Sequence, residues 1–152
     1  MGSKLEYKQE FLSTCYDDMQ CLFKIHWEEI ALNQDAIKLN PYIEKYEECE
    51  KSGSLKIFTA RDGDKLVGFA LIAQPSLHYQ DHLFATTDVI FLHPAYRKGR
   101  SGIKLISFAV ECLAQDRISM VFINTKIHRP FDVLLKRLGF SHIENVYSKR
   151  LI

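Results

Sequence analysis

Two β-rich runs, from Leu55 to Ala60 and from Lys65 to Ala73, are separated only by Arg61-Asp62-Gly63-Asp64. An Asp-Gly pair between such runs is a tight-turn signal, because hairpin turns need positive φ and glycine adopts it without strain. The two runs must pair antiparallel, and the rest of the chain has to pack on that hairpin. With 152 residues, 47% of them hydrophobic, the chain can bury one proper core and has no room for a second domain. Residues 1–152 therefore read as a single domain. Met1-Gly2-Ser3 reads as a cloning scar, since a myristoylation pattern wants Ser or Thr at position six, where this chain has Glu6.

The remaining elements follow from periodicity. Asp17 to Leu32 places Met19, Leu22, Phe23, Ile25, Trp27, Ile30 and Ala31 at helical intervals, and Pro41 opens a more polar helix that runs to about Lys51. Beyond the hairpin, His82 to Leu92 reads as a third strand and Ile103 to Leu113 as a helix apolar all round. Ser119 to Asn124 reads as a strand, and Pro130 opens a helix that Gly139 stops. Phe140 to Leu151 reads as a closing strand or hairpin. This order predicts an α/β fold: a mixed, mostly antiparallel sheet with helices on both faces.

Composition narrows the function. The 20 Lys and Arg balance 19 Asp and Glu to a formal charge of +1, so no single-sign field covers the surface and direct nucleic-acid binding is not expected. Cys15, Cys21, Cys49 and Cys112 show no C-x-x-C spacing, which predicts neither a metal site nor a disulfide framework. No apolar run is long enough to span a bilayer and no signal-peptide pattern opens the chain, so a soluble cytoplasmic protein is expected.

One stretch is not generic. His93-Pro94-Ala95-Tyr96-Arg97-Lys98-Gly99-Arg100-Ser101-Gly102 joins the end of a predicted strand to the start of a predicted buried helix. Free amides and the positive end of the helix dipole bind phosphate there. Glycines allow close approach, and Arg97, Lys98 and Arg100 add charge. The alternative is a plain strand-to-helix connection with solvated charges. Neither G-x-x-x-x-G-K-[ST] nor a strand-borne G-x-G-x-x-G is present, which removes the main support for P-loop hydrolysis and dinucleotide binding.

A strand ending in apolar-His-Pro-x-Tyr-Arg, then a basic Gly-containing loop and a helix, resembles the pyrophosphate-binding motif of the GNAT superfamily of N-acetyltransferases. His128 to Phe140 is similar to the downstream GNAT helix ending in Leu-Gly-Phe, and the element order fits from about Leu5 to Leu151. His78-Tyr79 and Lys38 to Pro41 further resemble GNAT proteins of bacteriophages. The resemblance implies a GNAT-like sheet and an acetyl-CoA-dependent N-acetyltransferase. Ile90, Phe91 and Leu92 would hold the pantetheine arm, and Arg97, Lys98, Gly99, Arg100, Ser101 and Gly102 would cradle the pyrophosphate. His128 would stand where the family often has a cofactor-contacting Asn. Arg100 departs from the pattern, since it occupies the position of the first family glycine.

The acceptor implied is a primary amine: a protein lysine or α-amine, with a host protein as partner if the phage likeness holds, or a small amine. The other reading is a weak or inactive GNAT fold that serves as a CoA-binding interaction module. A homodimer is a further expectation. An ammonium must lose a proton before it attacks, and Asp88, five residues before His93, is the first candidate base. Alternation places Thr86, Asp88 and Ile90 on one face. His82 and His78 are other candidate bases. The family's usual tyrosine acid falls at Leu135, a departure that leaves His128, Tyr147 and Tyr79 as candidate donors. The second helix carries Tyr42, Glu44, Tyr46, Glu47 and Glu48, which form a solvated face or an acidic rim suited to a cationic acceptor.

Overall fold

The computed structural model describes residues 4–73 and 80–152. His78 and Tyr79, two of the sequence-based candidates, lie outside the described residues, as do Met1, Gly2 and Ser3. A five-stranded sheet runs in the order β1-β2-β3-β4-β5: Glu6–Glu10, Leu55–Asp62, Lys65–Ala73, Leu83–Leu92 and Ile118–Phe122. The first four strands pair antiparallel and β5 joins β4 in parallel. The central hairpin closes as its turn residues dictate, with Asp62 paired to Lys65 and Gly63 at φ +60°.

Helices α1 (Leu12–Ile30) and α2 (Ile43–Lys51) lie on one face of the sheet, and α3 (Ser101–Gln115) on the other. The first interface packs Leu12, Cys15, Met19, Leu22 and Phe23 against Ile57, Phe69, Leu71 and Phe91. The second packs Leu105, Ala109 and Leu113 against Phe58, Ala60, Ala70, Ile72 and Ala85. Because both faces are covered, β2 and β3 are buried along almost their whole length. A short α4 (Asp132–Arg137) follows β5 and stops before Gly139, which takes φ +86°.

Two terminal features differ from the expectation. The sheet begins with β1, whose Glu6-Tyr7-Lys8-Gln9-Glu10 sequence has no apolar alternation; it is an edge strand held by its register with β2. The segment after Gly139 forms no strand, and Tyr147 is 89% exposed. The chain end is instead tied to the α1–α2 connection by Arg150, which donates to both carboxylate oxygens of Asp35 at 3.2 and 3.0 Å.

The face that Arg61 shares with β1 carries a charged cluster. The guanidinium donates from Nε and Nη2 to Glu10 (2.8 and 3.0 Å) and from Nη1 to Asp18 (3.1 Å) and the Asp64 carbonyl (2.7 Å). The Thr59 hydroxyl also donates to Glu10. This cluster ties β1, β2, α1 and the hairpin turn together.

Candidate functional site

β4 is the element on which the site is built. It pairs with β5 only from Leu83 to Thr86; from Thr87 to Leu92 no described strand lies on that side. The strands part where the Asn124 amide donates to the Thr87 hydroxyl at 3.3 Å. On its other side β4 stays paired to β3, with Val89 opposite Leu71 and Thr87 opposite Ile72, so Asp88 is the extra residue of a β-bulge.

The bulge changes which face each side chain meets. Ala85 packs on the α3 side, whereas Val89 and Phe91 pack on the α1–α2 side and Ile90 and Leu92 on the α3 side. The expected grouping of Thr86, Asp88 and Ile90 on one face therefore fails at Ile90, because the extra residue reverses the alternation. Asp88 is exposed, and its Oδ2 accepts a 2.5 Å hydrogen bond from the Tyr46 hydroxyl of α2. Burial, then the Asp88 bond and charge, push the Tyr46 hydroxyl far above the ordinary tyrosine range, so it stays a donor at any working pH. Tyr46 thus leaves the solvated face on which the sequence placed it. Glu44, Glu47 and Glu48 remain exposed.

The basic loop is held by the residues that mark it in the sequence. His93 accepts the Ala95 amide at 3.1 Å and opens one turn of 3-10 helix over Pro94–Tyr96. Tyr96 donates to Asp62 of the hairpin at 2.7 Å. Arg97 donates from Nε to the Leu92 carbonyl (2.7 Å) and from Nη2 to Glu29 of α1 (2.9 Å), with its guanidinium 5.5 Å from the centre of the Phe91 ring. The side chain of Arg97 is therefore engaged with the protein. Lys98, Gly99 and Arg100 are exposed, Gly99 turns at φ +77°, and α3 starts at Ser101. The first helical bond runs from the Lys104 amide to the Arg100 carbonyl, so the amides of Ser101, Gly102 and Ile103 have no acceptor within the helix. With the exposed side chains of Lys98 and Arg100, these amides gather donors and positive charge at the end of the open edge of β4.

The other candidates are spread more widely. Ile90 is half-buried, and Phe91 and Leu92 are buried side chains whose backbone lies on the open segment. His128 sits exposed in the tight turn bracketed by the Lys126–Arg129 bridge, and Thr125 donates to Asp132 at 3.0 Å to hold that loop against α4. His82 is exposed and paired with Ser119 at 3.0 Å. Leu135, at 8% exposure, faces the interior. Among the described residues, no group of three or more His, Cys, Asp or Glu side chains is placed to share a metal ion, and no helix is long and apolar enough to cross a membrane.

No protein-family model matches the sequence, and no curated protein sequence matches it. Solved structures do match. A transcriptional regulator from Bacillus halodurans C-125 aligns over 97% of this chain and 100% of its own, with a TM-score of 0.76 and 19% identity. The aminoglycoside N-acetyltransferase AAC(6')-Iy in complex with CoA aligns over 99% and 97%, with a TM-score of 0.73 and 19% identity. A GNAT family acetyltransferase from Staphylococcus aureus subsp. aureus USA300_TCH1516 aligns over 97% and 98%, with a TM-score of 0.68 and 12% identity. The chain has the GNAT fold. Its parted fourth and fifth strands, bulged β4 and basic loop ahead of α3 are thus features of a GNAT-fold chain. These likenesses lend no support to the bacteriophage resemblance of Lys38 to Pro41.

Proposed function

We propose that the protein is an N-acetyltransferase that moves the acetyl group of acetyl-CoA directly to a primary amine. One observation carries this reading: the run of β4 whose outer edge has no described neighbour leads from a carboxylate at the bulge, Asp88, to the free amides at the start of α3. The residues present fit a CoA thioester. The amides of Ser101, Gly102 and Ile103 with Lys98 and Arg100 take the pyrophosphate, and the open backbone at Ile90, Phe91 and Leu92 takes the amide-bearing pantetheine arm as a strand would be taken. Arg97 acts by fixing the loop to α1 and to the end of β4 rather than by reaching for phosphate.

Chemistry follows from the same placement. The amine arrives as an ammonium, and Asp88, oriented by Tyr46, accepts its proton directly or through a water. The freed nitrogen attacks the thioester carbonyl, the C–N bond forms, and the C–S bond breaks with its electron pair leaving on sulfur. Backbone amides polarise the carbonyl as charge develops on its oxygen, and holding both reactants on one strand removes most of the entropy cost of their meeting. The exposed carboxylates of α2 suit a cationic acceptor. The CoA complex of the aminoglycoside N-acetyltransferase is consistent with this choice of donor.

One observation favours a second reading, a CoA-binding interaction module of weak activity: Leu135 is packed in the interior and offers no hydroxyl to the leaving thiolate. A thiol has a pKa of only about 8.5, so solvent can also protonate it. Thiol release from acetyl-CoA against a panel of amines, peptides and amino-sugars separates the two. Turnover lost in Asp88→Asn with acetyl-CoA binding unchanged supports the enzyme. CoA binding without turnover on any amine supports the module.

A further inference from the structure

The helical pattern reads His26 and Trp27 as core and helix surface, and the fold places His26 on Phe91, three residues beyond Asp88 on β4. The His26 and Phe91 rings lie 5.3 Å apart in an edge-on arrangement. Phe91 in turn lies beneath the Arg97 guanidinium. Because of the bulge, Asp88, Val89 and Phe91 all meet the α1–α2 side of the sheet. At roughly 3.3 Å per strand residue, Phe91, the residue His26 packs on, follows Asp88 by about 10 Å along the open segment. Asp88 stands at the end away from the basic loop, and His26 stands nearer to it.

His26 is half-buried but not sealed. It makes no hydrogen bond among the described residues, and no buried side-chain nitrogen or oxygen there lacks a partner. Both ring nitrogens are therefore reached from solvent. The groups that act on the ring come from every side: Glu29 from α1, Arg97 from the basic loop, Lys126 from the loop after β5 and Asp88 from β4. Burial lowers its affinity for a proton most. Glu29 and Asp88 oppose this, Arg97 and Lys126 add to it, and the balance lies below the ordinary imidazole range. The ring is neutral at pH 7 and can accept a proton.

We propose that His26 relays a proton from the attacking nitrogen to the departing sulfur. This rests on the acetyl-transfer reading above. The ammonium carries two protons more than the amide nitrogen of the product requires. The first goes to Asp88 and then to solvent. After attack, the nitrogen of the tetrahedral intermediate still holds the second, which passes to the neutral imidazole. As the C–S bond breaks, the imidazolium returns that proton to the thiolate. Nitrogen and sulfur are bonded to the same carbon at that moment, so one ring can serve both. The products are amide, free CoA thiol and one proton released to solvent, and His26 ends neutral. The relay supplies what the buried Leu135 cannot.

The test compares wild type with His26→Gln in steady-state acetyl transfer, using the best amine found in the panel. The relay predicts kcat lowered about 100-fold, KM for acetyl-CoA and the acetyl-CoA thermal shift unchanged, and loss of a limb in the kcat–pH profile at or below about pH 6.5. As a second variant, His26→Ala should regain activity when imidazole is added, whereas a packing role would not respond to imidazole. A His26→Gln protein with wild-type kcat and the wild-type pH profile overturns the relay while leaving the transferase reading intact. So does an equal loss of kcat and melting temperature with no imidazole rescue. Wild-type protein that releases no thiol with any amine overturns both.

Discussion

Asp88 and Tyr46 meet across 42 positions of sequence, and their hydrogen bond is the clearest single contact of the site. Asp88→Asn should lower turnover at least 100-fold with acetyl-CoA affinity unchanged, read by thiol release and by ligand titration. Tyr46→Phe should cost less, about 3- to 10-fold in kcat, because the base remains and only its orientation is lost. The Glu10–Arg61 pair makes a prediction about stability. Burial alone would raise the Glu10 pKa, but the hydrogen bonds from Arg61 and Thr59 and the Arg61 charge outweigh it and hold the carboxyl below its ordinary value. A depressed folded pKa means that the contribution is complete above the unfolded value of 4.5 and is lost as pH falls through the folded one. The urea midpoint should therefore be insensitive to this pair from pH 7 to 5 and fall below that, and Glu10→Gln should remove part of the acid dependence. Arg61→Met should destabilise by about 3–5 kcal/mol, since it strands a buried carboxylate. Residue types pointed to Asp88 and to the basic loop from the sequence alone. They named Tyr46 only as part of a helix face and gave no role to Glu10 or His26, because those roles depend on neighbours that only the folded sheet supplies.

Among the elements, β4 was legible as a strand but not as a bulged one, because a single extra residue leaves no mark in an apolar run. The central hairpin was legible down to its turn, since Asp62-Gly63 dictates the backbone there. β1 was missed because an edge strand of Glu, Lys and Gln carries no period, and the start of α1 was placed too late for a related reason. Its first amide, on Leu12, is capped by Glu50 of α2 at 2.7 Å, a partner 38 residues away. The expected closing strand is absent, the described chain after Gly139 making no ladder pairing. The close approach of β3 to β4 gives a test at this scale. A Cβ at Gly68 would lie 2.8 Å from Leu92 Cδ1 and 2.9 Å from the Phe91 carbonyl oxygen, so Gly68→Ala should destabilise by about 1–3 kcal/mol in urea unfolding. At the start of α3, a Cβ at Gly102 would come 3.2 Å from Leu134. A leucine there should weaken CoA binding at least tenfold by crowding the amides.

In the molecule as a whole, two helices on one side and one on the other cover a sheet whose fourth strand has no described neighbour on one edge from Thr87 to Leu92. Charge balance, size and element order were readable as properties of the entire chain; the parting of β4 from β5 was not, because it depends on how far a parallel pairing extends. The most direct test of the central claim is a thermal-shift titration with acetyl-CoA. A ligand that binds only the folded state must raise the melting temperature. For a domain of this size, a concentration of one hundred times Kd should give a rise of about 5 °C or more. Wild type should show that rise, the Gly102 variant a weakened one and Asp88→Asn the wild-type one. A melting temperature indifferent to acetyl-CoA at millimolar concentration would contradict that claim, because the open strand and the basic loop would then hold no CoA.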